Sequence, residues 1–185
     1  MELLNRLAQY HEGEAQLAWE GTFADYLAIV KERPHVAQLS HARIYQMIRD
    51  AGVIEHEDGR REYRFFSEQL FGLDRSLEQL VEEYFHSAAR RLDVRKRILL
   101  LMGPVSGGKS TIVTMLKKGL EAYSRTEAGA LYGIKGCPMH EEPLHLIPHS
   151  LRKEAEAELN LYIEGELCPH CQYMVEQEYQ GRIHE

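Results

Sequence analysis

The stretch ILLLMGPVSGGKST, residues 98–111, decides which fold the chain is expected to adopt. Five apolar residues run without interruption into a glycine-rich loop, which is typical of a buried strand that ends at a ligand. After the loop, Ile112, Leu116 and Leu120 recur at helical spacing and predict an amphipathic helix. Strand, loop and helix in this order match the pattern G-x-x-x-x-G-K-[ST], the phosphate-binding P-loop.

The chemistry of this loop follows from its residue types. Gly103 and Gly108 carry no Cβ where the backbone must approach phosphate oxygens, and the N–H groups and dipole of the following helix favour an anion. Lys109 can reach the outer phosphates, Ser110 offers its hydroxyl to Mg²⁺, and Thr111 borders the α-phosphate. The residues predicted to bind nucleotide are Gly103, Pro104, Val105, Ser106, Gly107, Gly108, Lys109, Ser110 and Thr111. The alternative is a glycine-rich turn that binds nothing.

Composition and charge narrow the classes of function. The 185 residues carry a formal net charge of -7, which argues against a general nucleic-acid binder because phosphate backbones require a basic face. The local basic run at residues 90–97 is interpreted as a solvated helix end and strand entry. No apolar run approaches the roughly 20 residues of a membrane helix, and the N-terminus lacks the pattern of a secretory signal. We therefore expect a cytoplasmic protein without a membrane partner.

Residues 1–66 are predicted to form a helical N-terminal segment with a short hairpin. Apolar residues recur at helical spacing, and Thr22 and Ser40 are predicted to be helix N-caps. The pair Asp58-Gly59 between two partly alternating arms predicts a hairpin turn. Helices followed by a hairpin also occur in winged-helix DNA-binding proteins, but the acidic arm and the absence of a basic recognition helix argue against that function.

Residues 67–185 are predicted to form a partial P-loop nucleotide-binding domain. A turn at residues 71–74 precedes a long amphipathic helix over residues 77–92, which leads into the P-loop strand. Two further apolar segments, residues 130–135 and 161–164, are predicted strands. Strands separated by helical segments indicate an α/β fold with a mainly parallel sheet and flanking helices.

All three cysteines of the chain lie in two pairs with metal-ligand spacing. Cys137 and His140 form a C-x2-H pair, and Cys168 and Cys171 form a C-x2-C pair, each with proline at its second position. Three cysteines and one histidine are a usual tetrahedral zinc set, and this spacing lets both members of a pair reach one ion. The pattern predicts a structural zinc site in a Cys/His insert at residues 137–171.

Other interpretations of the cysteines stay open at this point. Cys168 and Cys171 could form a disulfide, which is rare in the cytosol, or the thiols could be buried without a partner. A redox C-x-x-C normally opens a helix after the first strand of a thioredoxin-like unit, whereas this pair lies late in the chain. A catalytic zinc would need an open position and a base such as Glu141 or Glu142. Further candidate ligands are His145, His149 and His170.

Four stretches are specific in combination: EGTFADY (residues 20–26), FSEQLFGL (66–73), GPVSGGKS (103–110) and KGCPMHEEPL (135–144). Together they resemble the N-terminal region of the bacterial PrkA serine protein kinase family. The resemblance implies a P-loop NTPase fold of AAA+ type, Mg-ATP, an unknown protein substrate, homo-oligomeric rings, a cytoplasmic setting linked to stress or sporulation, and a C-terminal kinase-like domain. In AAA+ proteins the segment before the P-loop strand lines the adenine pocket.

The residues that would complete an AAA+ catalytic site are not identifiable, and the catalytic residues are therefore unknown. The nearest string to a Walker B strand is IEGE at residues 163–166, which is short and interrupted by glycine. No arginine finger, sensor or eukaryotic kinase motif is present. The function predicted is the ATP-binding AAA+ segment of a PrkA-type serine protein kinase. The alternatives are an ATP-dependent protease or remodelling ATPase, and a zinc-stabilised nucleotide-binding regulatory module without turnover.

Overall fold

The computed structural model describes residues 2–90 and 99–182. The chain divides into two compact units: the first combines residues 1–37 with 132–185, and the second comprises residues 38–131. The first unit is therefore built from two distant parts of the chain. The boundary that the sequence predicts between residues 66 and 67 falls inside the second unit.

Helices dominate the described residues. In chain order the elements are α1 (Glu2–Leu17), α2 (Phe23–Glu32), a 3-10 turn (Pro34–Ala37), α3 (Ser40–Asp50), β1 (Val53–Glu55), β2 (Arg61–Tyr63), α4 (Arg64–Ser67), α5 (Asp74–Gln79), a π-helical segment (Leu80–His86), α6 (Ser87–Ala89), α7 (Lys109–Tyr123), a second 3-10 turn (Pro143–Leu146), α8 (His149–Leu159) and α9 (Pro169–Gln177). The predicted hairpin is confirmed, because β1 and β2 pair antiparallel with Val53 opposite Tyr63. None of the helices described is long and apolar enough to cross a bilayer.

An apolar core and a polar bridge join the two chain segments of the first unit. The core consists of Tyr26, Val30, Val36, Leu144, Ile147, Leu159 and Ile163. The hydroxyl of Tyr26 donates to one carboxylate oxygen of Glu142 at 2.5 Å, and the other oxygen accepts from the N–H of Leu144 at 2.9 Å. Burial raises the pKa of Glu142, and the hydrogen bond from Tyr26 opposes that shift. The buried carboxyl group is thus satisfied by partners from both segments.

Helix α2 begins where the sequence predicts, at a capping box. The Thr22 hydroxyl accepts from the N–H of Asp25 at 3.2 Å, and the Asp25 carboxylate accepts from the N–H of Thr22 at 2.8 Å. Helix α3 differs from its prediction, since its N-cap is Leu39 and no side chain caps it. Ser40 is the first helical residue, and its predicted role as N-cap is wrong.

The second unit packs its helices around the hairpin. Its core consists of Met47, Ile48, Tyr63, Phe66, Leu70, Leu77, Leu80, Val81, Phe85, Ile112 and Met115. Helix α7 approaches α4 closely at Gly119, where an added Cβ would lie 2.6 Å from the ring of Phe65. The buried guanidinium of Arg43 donates to the carbonyl groups of Gly129 and Ala130 at 2.9 and 3.1 Å. This pair of bonds ties α3 to the loop after α7.

The long helix predicted before the P-loop is present over residues 74–89, but its middle is not regular. Helix α5 continues into the π-helical segment and then into α6 without a break in the helical backbone. The apolar stripe is buried as predicted, with Leu77, Val81 and Phe85 in the core. A π-helical stretch of this kind is uncommon and occurs mostly within longer helices.

The mainly parallel sheet is not formed by the residues that the structure describes, whose one sheet is the β1–β2 hairpin. Residues 99–102, 130–135 and 161–164 lack strand structure. Ile98 and residues 91–97 of the predicted strand entry lie outside the described residues. A parallel strand has no hairpin partner and must pair with strands from distant parts of the chain. An apolar run predicts a strand, but it does not supply those partners.

Substituting Thr22 by alanine is expected to lower the free energy of unfolding by about 1 kcal/mol, because it removes the hydroxyl that accepts from the N–H of Asp25 and donates to the Asp25 carboxylate. The matched control is Ser40→Ala, at a helix start without a side-chain cap, which should change stability by less than about 0.5 kcal/mol. Urea denaturation followed by circular dichroism measures both. Equal losses in the two variants would contradict the assigned caps.

Candidate functional site

The glycine-rich loop forms a tight turn that leads directly into α7. Gly108 is the N-cap of the helix with a φ of 78°, and Ser106 also lies in the left-handed region, with a φ of 64°. The N–H of Gly107 donates to the carbonyl of Pro104 at 3.2 Å. A Cβ on Gly107 would lie 3.0 Å from that carbonyl oxygen, so a side chain there would crowd the backbone of the turn. The glycines are required by the local geometry.

Lys109, the first residue of α7, folds back across the loop. Its Nζ donates to the carbonyl oxygens of Gly103 at 2.9 Å and Pro104 at 2.5 Å. The two bonds hold the exposed ammonium group against the backbone of the loop. A cation held in this way adds to the positive end of the helix dipole at the same place.

The first turn of α7 presents backbone donors beside this lysine. The first intrahelical hydrogen bond runs from the N–H of Ile112 to the carbonyl of Gly108 at 2.9 Å. The N–H groups of Lys109, Ser110 and Thr111 precede that bond and have no partner within the helix. The arrangement of these donors at a helix N-terminus is suited to binding an anion.

A cleft of about 540 Å³ lies between the loop and the segment before the long helix. Residues 106–111 form one wall, and the opposite wall consists of Gln69, Leu70, Phe71 and Leu73. The ring of Phe71 is 81% exposed. The size and the largely apolar second wall are typical of small-molecule sites. The sequence analysis did not identify Gln69 and Leu70 as site residues, although both lie in the stretch around Phe71 that contributes to the family resemblance.

Positive charge dominates this cleft. Lys109 is the one ionisable side chain among the described residues that line it. No carboxylate of the described residues reaches the lining, so a group that could polarise water or hold a metal ion opposite Ser110 is missing there. The cleft has the donors needed to hold phosphate oxygens, but it lacks an acidic catalytic residue.

Three of the four residues predicted to bind zinc lie close together in the structure. The Sγ atoms of Cys137, Cys168 and Cys171 lie within 4.8 Å of one another, and those of Cys137 and Cys168 are 3.6 Å apart. All three are free thiols, so the structure contains no disulfide between Cys168 and Cys171. His140 is exposed and does not belong to this group. Its role as a ligand stays a prediction.

The turns that carry the cysteines direct N–H groups at sulfur. Cys168 is the N-cap of α9, and its Sγ accepts from the N–H of Cys171 at 3.4 Å. Burial alone would raise the pKa of the Cys137 thiol, but hydrogen bonds, led by that from the N–H of Glu141, outweigh it and lower that pKa. Burial raises the pKa of Cys171. The turn at Cys137 is closed by the N–H of His140, which donates to the Cys137 carbonyl at 3.1 Å.

Glu141 links the two cysteine segments. One carboxylate oxygen accepts from the N–H of Cys168 at 3.0 Å, and the other lies 2.5 Å from Nδ1 of His145. Nε2 of His145 in turn lies 2.7 Å from the carbonyl oxygen of Glu164. Glu141 and His145 are therefore engaged in structural contacts, and neither is a member of the cysteine group.

The remaining candidates also lie outside the cysteine group. His149 is 2.7 Å from Glu166, and His170 is exposed on α9. Glu142, the other candidate base, bonds to Tyr26 in the core of the first unit. The contacts of the described residues thus assign no general base to the cysteine cluster, which favours a structural over a catalytic role.

The family model of the PrkA AAA domain matches residues 21–185, and an AAA domain is a nucleotide-binding ATPase module. The match covers most of the chain, and the chain belongs to the PrkA family.

Individual relatives support this assignment. The chain is 64% identical over 183 residues to the ATP-dependent protease PrkA of Bacillus subtilis, a match that covers 99% of this chain and 29% of that protein. It is 29% identical over 114 residues to the serine/threonine kinase YeaG of Escherichia coli K12, which covers 56% of this chain and 18% of that protein. The chain thus spans less than a third of the length of these two relatives. No solved structure shows significant similarity to it.

Proposed function

We propose that the chain binds Mg-ATP in the cleft between the loop and residues 69–73. The observation that carries this proposal is the convergence of the Lys109 ammonium group and the first-turn N–H groups of α7 on one wall of the cleft. In this assignment the loop amides and Lys109 hold the β- and γ-phosphates, Ser110 binds Mg²⁺ and Thr111 borders the α-phosphate. Membership of an AAA family supports a nucleotide as the ligand.

The opposite wall is assigned to the adenine base. Phe71 offers an exposed aromatic ring at the cleft, and Leu70 and Leu73 add apolar surface beside it. An adenine ring can stack on such a side chain while its triphosphate reaches the loop. This assignment agrees with the position of the adenine pocket that the family resemblance implies.

For the longer protein we propose an ATP-driven activity on a protein substrate in the cytoplasm. Serine protein kinase is the first candidate, and the name of the Escherichia coli relative supports it. ATP-dependent protease is the second, favoured by the name of a relative that is 64% identical over nearly the whole chain. A ring of several copies, as is usual for AAA+ proteins, would place residues of neighbouring copies at each nucleotide.

The chain itself is assigned a binding role without turnover. The described residues that line the cleft include a phosphate-binding lysine but no carboxylate. Hydrolysis or transfer of the γ-phosphate requires such a group to position Mg²⁺ and the attacking nucleophile. We infer that residues beyond those lining the cleft complete the catalytic site.

Replacing Lys109 with alanine is expected to weaken Mg-ATP binding by about 10- to 150-fold, because a charge-assisted hydrogen bond contributes about 1.5–3 kcal/mol. Lys118→Ala, on the exposed face of the same helix, is the matched control and should bind as tightly as the unmodified chain. Isothermal titration calorimetry measures both affinities. Unchanged affinity in the Lys109 variant would contradict the assigned site.

Phe71→Ala should weaken ATP binding by about 5- to 150-fold, since stacking of a base on an aromatic ring contributes about 1–3 kcal/mol. It should leave the affinity for inorganic tripolyphosphate unchanged, whereas Lys109→Ala should weaken both ligands. Phe71→Tyr preserves the ring and is expected to retain ATP affinity. Equal effects of Phe71→Ala on the two ligands would show that the ring does not contact the base.

Incubation of the chain with Mg²⁺ and ATP labelled on the γ-phosphate should leave the label on ATP, with Lys109→Ala as the control that binds more weakly. The expectation rests on the missing carboxylate in the cleft. Label on serine residues of protein would establish a kinase, and label in free phosphate an ATPase. Either result would contradict a binding role without turnover.

A further inference from the structure

The three cysteines lie at the spacing that a single zinc ion requires. Zinc binds thiolate sulfur at about 2.3 Å in a tetrahedron, which places two coordinated sulfurs roughly 3.8 Å apart. The Sγ atoms of Cys137 and Cys168 are separated by 3.6 Å, and all three Sγ atoms fall within 4.8 Å of one another. An ion at the centre of this triangle can bond to every sulfur with small side-chain adjustments.

We propose that Cys137, Cys168 and Cys171 bind a structural Zn²⁺ ion and that His140 supplies the fourth ligand. This inference does not depend on nucleotide binding. Thiolate ligands select soft or borderline ions such as Zn²⁺ over Mg²⁺ or Ca²⁺. Cys137 and Cys171 are only 4% and 3% exposed, so the ion would be shielded from water on that side. A closed site of this kind stabilises a fold rather than catalysing a reaction.

The contacts around the sulfur atoms hold the two cysteine segments in place before any metal ion binds. The N–H of Cys171 donates to Sγ of Cys168 at 3.4 Å, which orients that sulfur within the second pair. The carboxylate of Glu141, from the segment of Cys137, accepts from the N–H of Cys168 at 3.0 Å. This bond orients the second pair towards the first, as outer contacts do at metal sites.

His140 is chosen as the fourth ligand because of its place in the turn. It follows Cys137 at the spacing by which Cys171 follows Cys168, and its N–H closes the turn on the Cys137 carbonyl at 3.1 Å. Its exposed side chain lies outside the sulfur triangle in the structure and would rotate inwards on binding. His170 is also exposed, but it lies inside the second pair, where it serves as a matched control.

The first test is the metal content of the unmodified chain, purified without chelator under reducing conditions. Elemental analysis is expected to give about one zinc per chain, and removal of the metal should lower the melting temperature reversibly. Substitution with Co²⁺ should give the visible absorption of a tetrahedral ion together with thiolate-to-metal charge transfer. A metal-free chain that takes up no added Zn²⁺, or one isolated with a disulfide between two of these cysteines, would overturn the proposal.

The second test separates the four ligands. His140→Ala should weaken Zn²⁺ binding at least about tenfold in a competition with a chromophoric chelator, and it should change the Co²⁺ spectrum. His170→Ala should alter neither. The opposite pattern, or no effect of either histidine, would overturn the assignment of His140. Loss of charge-transfer intensity in Cys171→Ser would confirm the thiolate set, and an unchanged intensity would refute it.

Discussion

Close contact between the glycine-rich loop and two leucines determines where the N–H donors at the start of α7 lie. An added Cβ on Gly108 would come within 3.1 Å of methyl groups of both Leu70 and Leu73. Leu70 belongs to the core of the second unit, and Leu73 packs against it. Packing against this core therefore positions the loop, whose turn is shaped by its own short-range hydrogen bonds. Lys109 and the first turn of α7 come next in the chain after this loop. Positive charge and apolar surface therefore lie on opposite walls of one cleft.

In the first unit, distant parts of the chain are held together by contacts of a different kind. Tyr26 and Glu142 meet in a partly buried hydrogen bond, and Glu141 joins the turn of Cys137 to the start of α9. Buried polar groups require partners, so these bonds specify how the segments align. A zinc ion at the three sulfurs would add a covalent-like link at the same place. The small apolar core of this unit explains why such a link would be useful.

The residues of the cleft can be compared with the two activities, kinase and protease, that the names of the relatives state. A kinase and an ATP-dependent protease share the step of binding Mg-ATP, and they differ in what the γ-phosphate or the nucleotide cycle then acts upon. The described lining has donors suited to phosphate oxygens, which either activity would require, and it includes no carboxylate. Because the chain spans 29% of the length of the Bacillus subtilis relative, identity in this region is compatible with either activity. Residues outside this chain's cleft must distinguish the two activities.

Local patterns of the sequence were sufficient to predict four features: the capping box at Thr22, the hairpin at Asp58-Gly59, the loop before α7 and the two cysteine turns. Each depends on residues at most a few positions apart, whose hydrogen bonds form wherever the rest of the chain lies. The predicted parallel sheet depends on pairing between distant segments and is not formed by the described residues: Leu100 and Met102 are apolar, yet they are 72% and 82% exposed, and no described strand pairs with them. Only the tertiary structure decided that Phe71 faces the loop and that three sulfurs meet while His140 lies outside. Those outcomes depend on packing between segments far apart in the sequence, which no local pattern encodes.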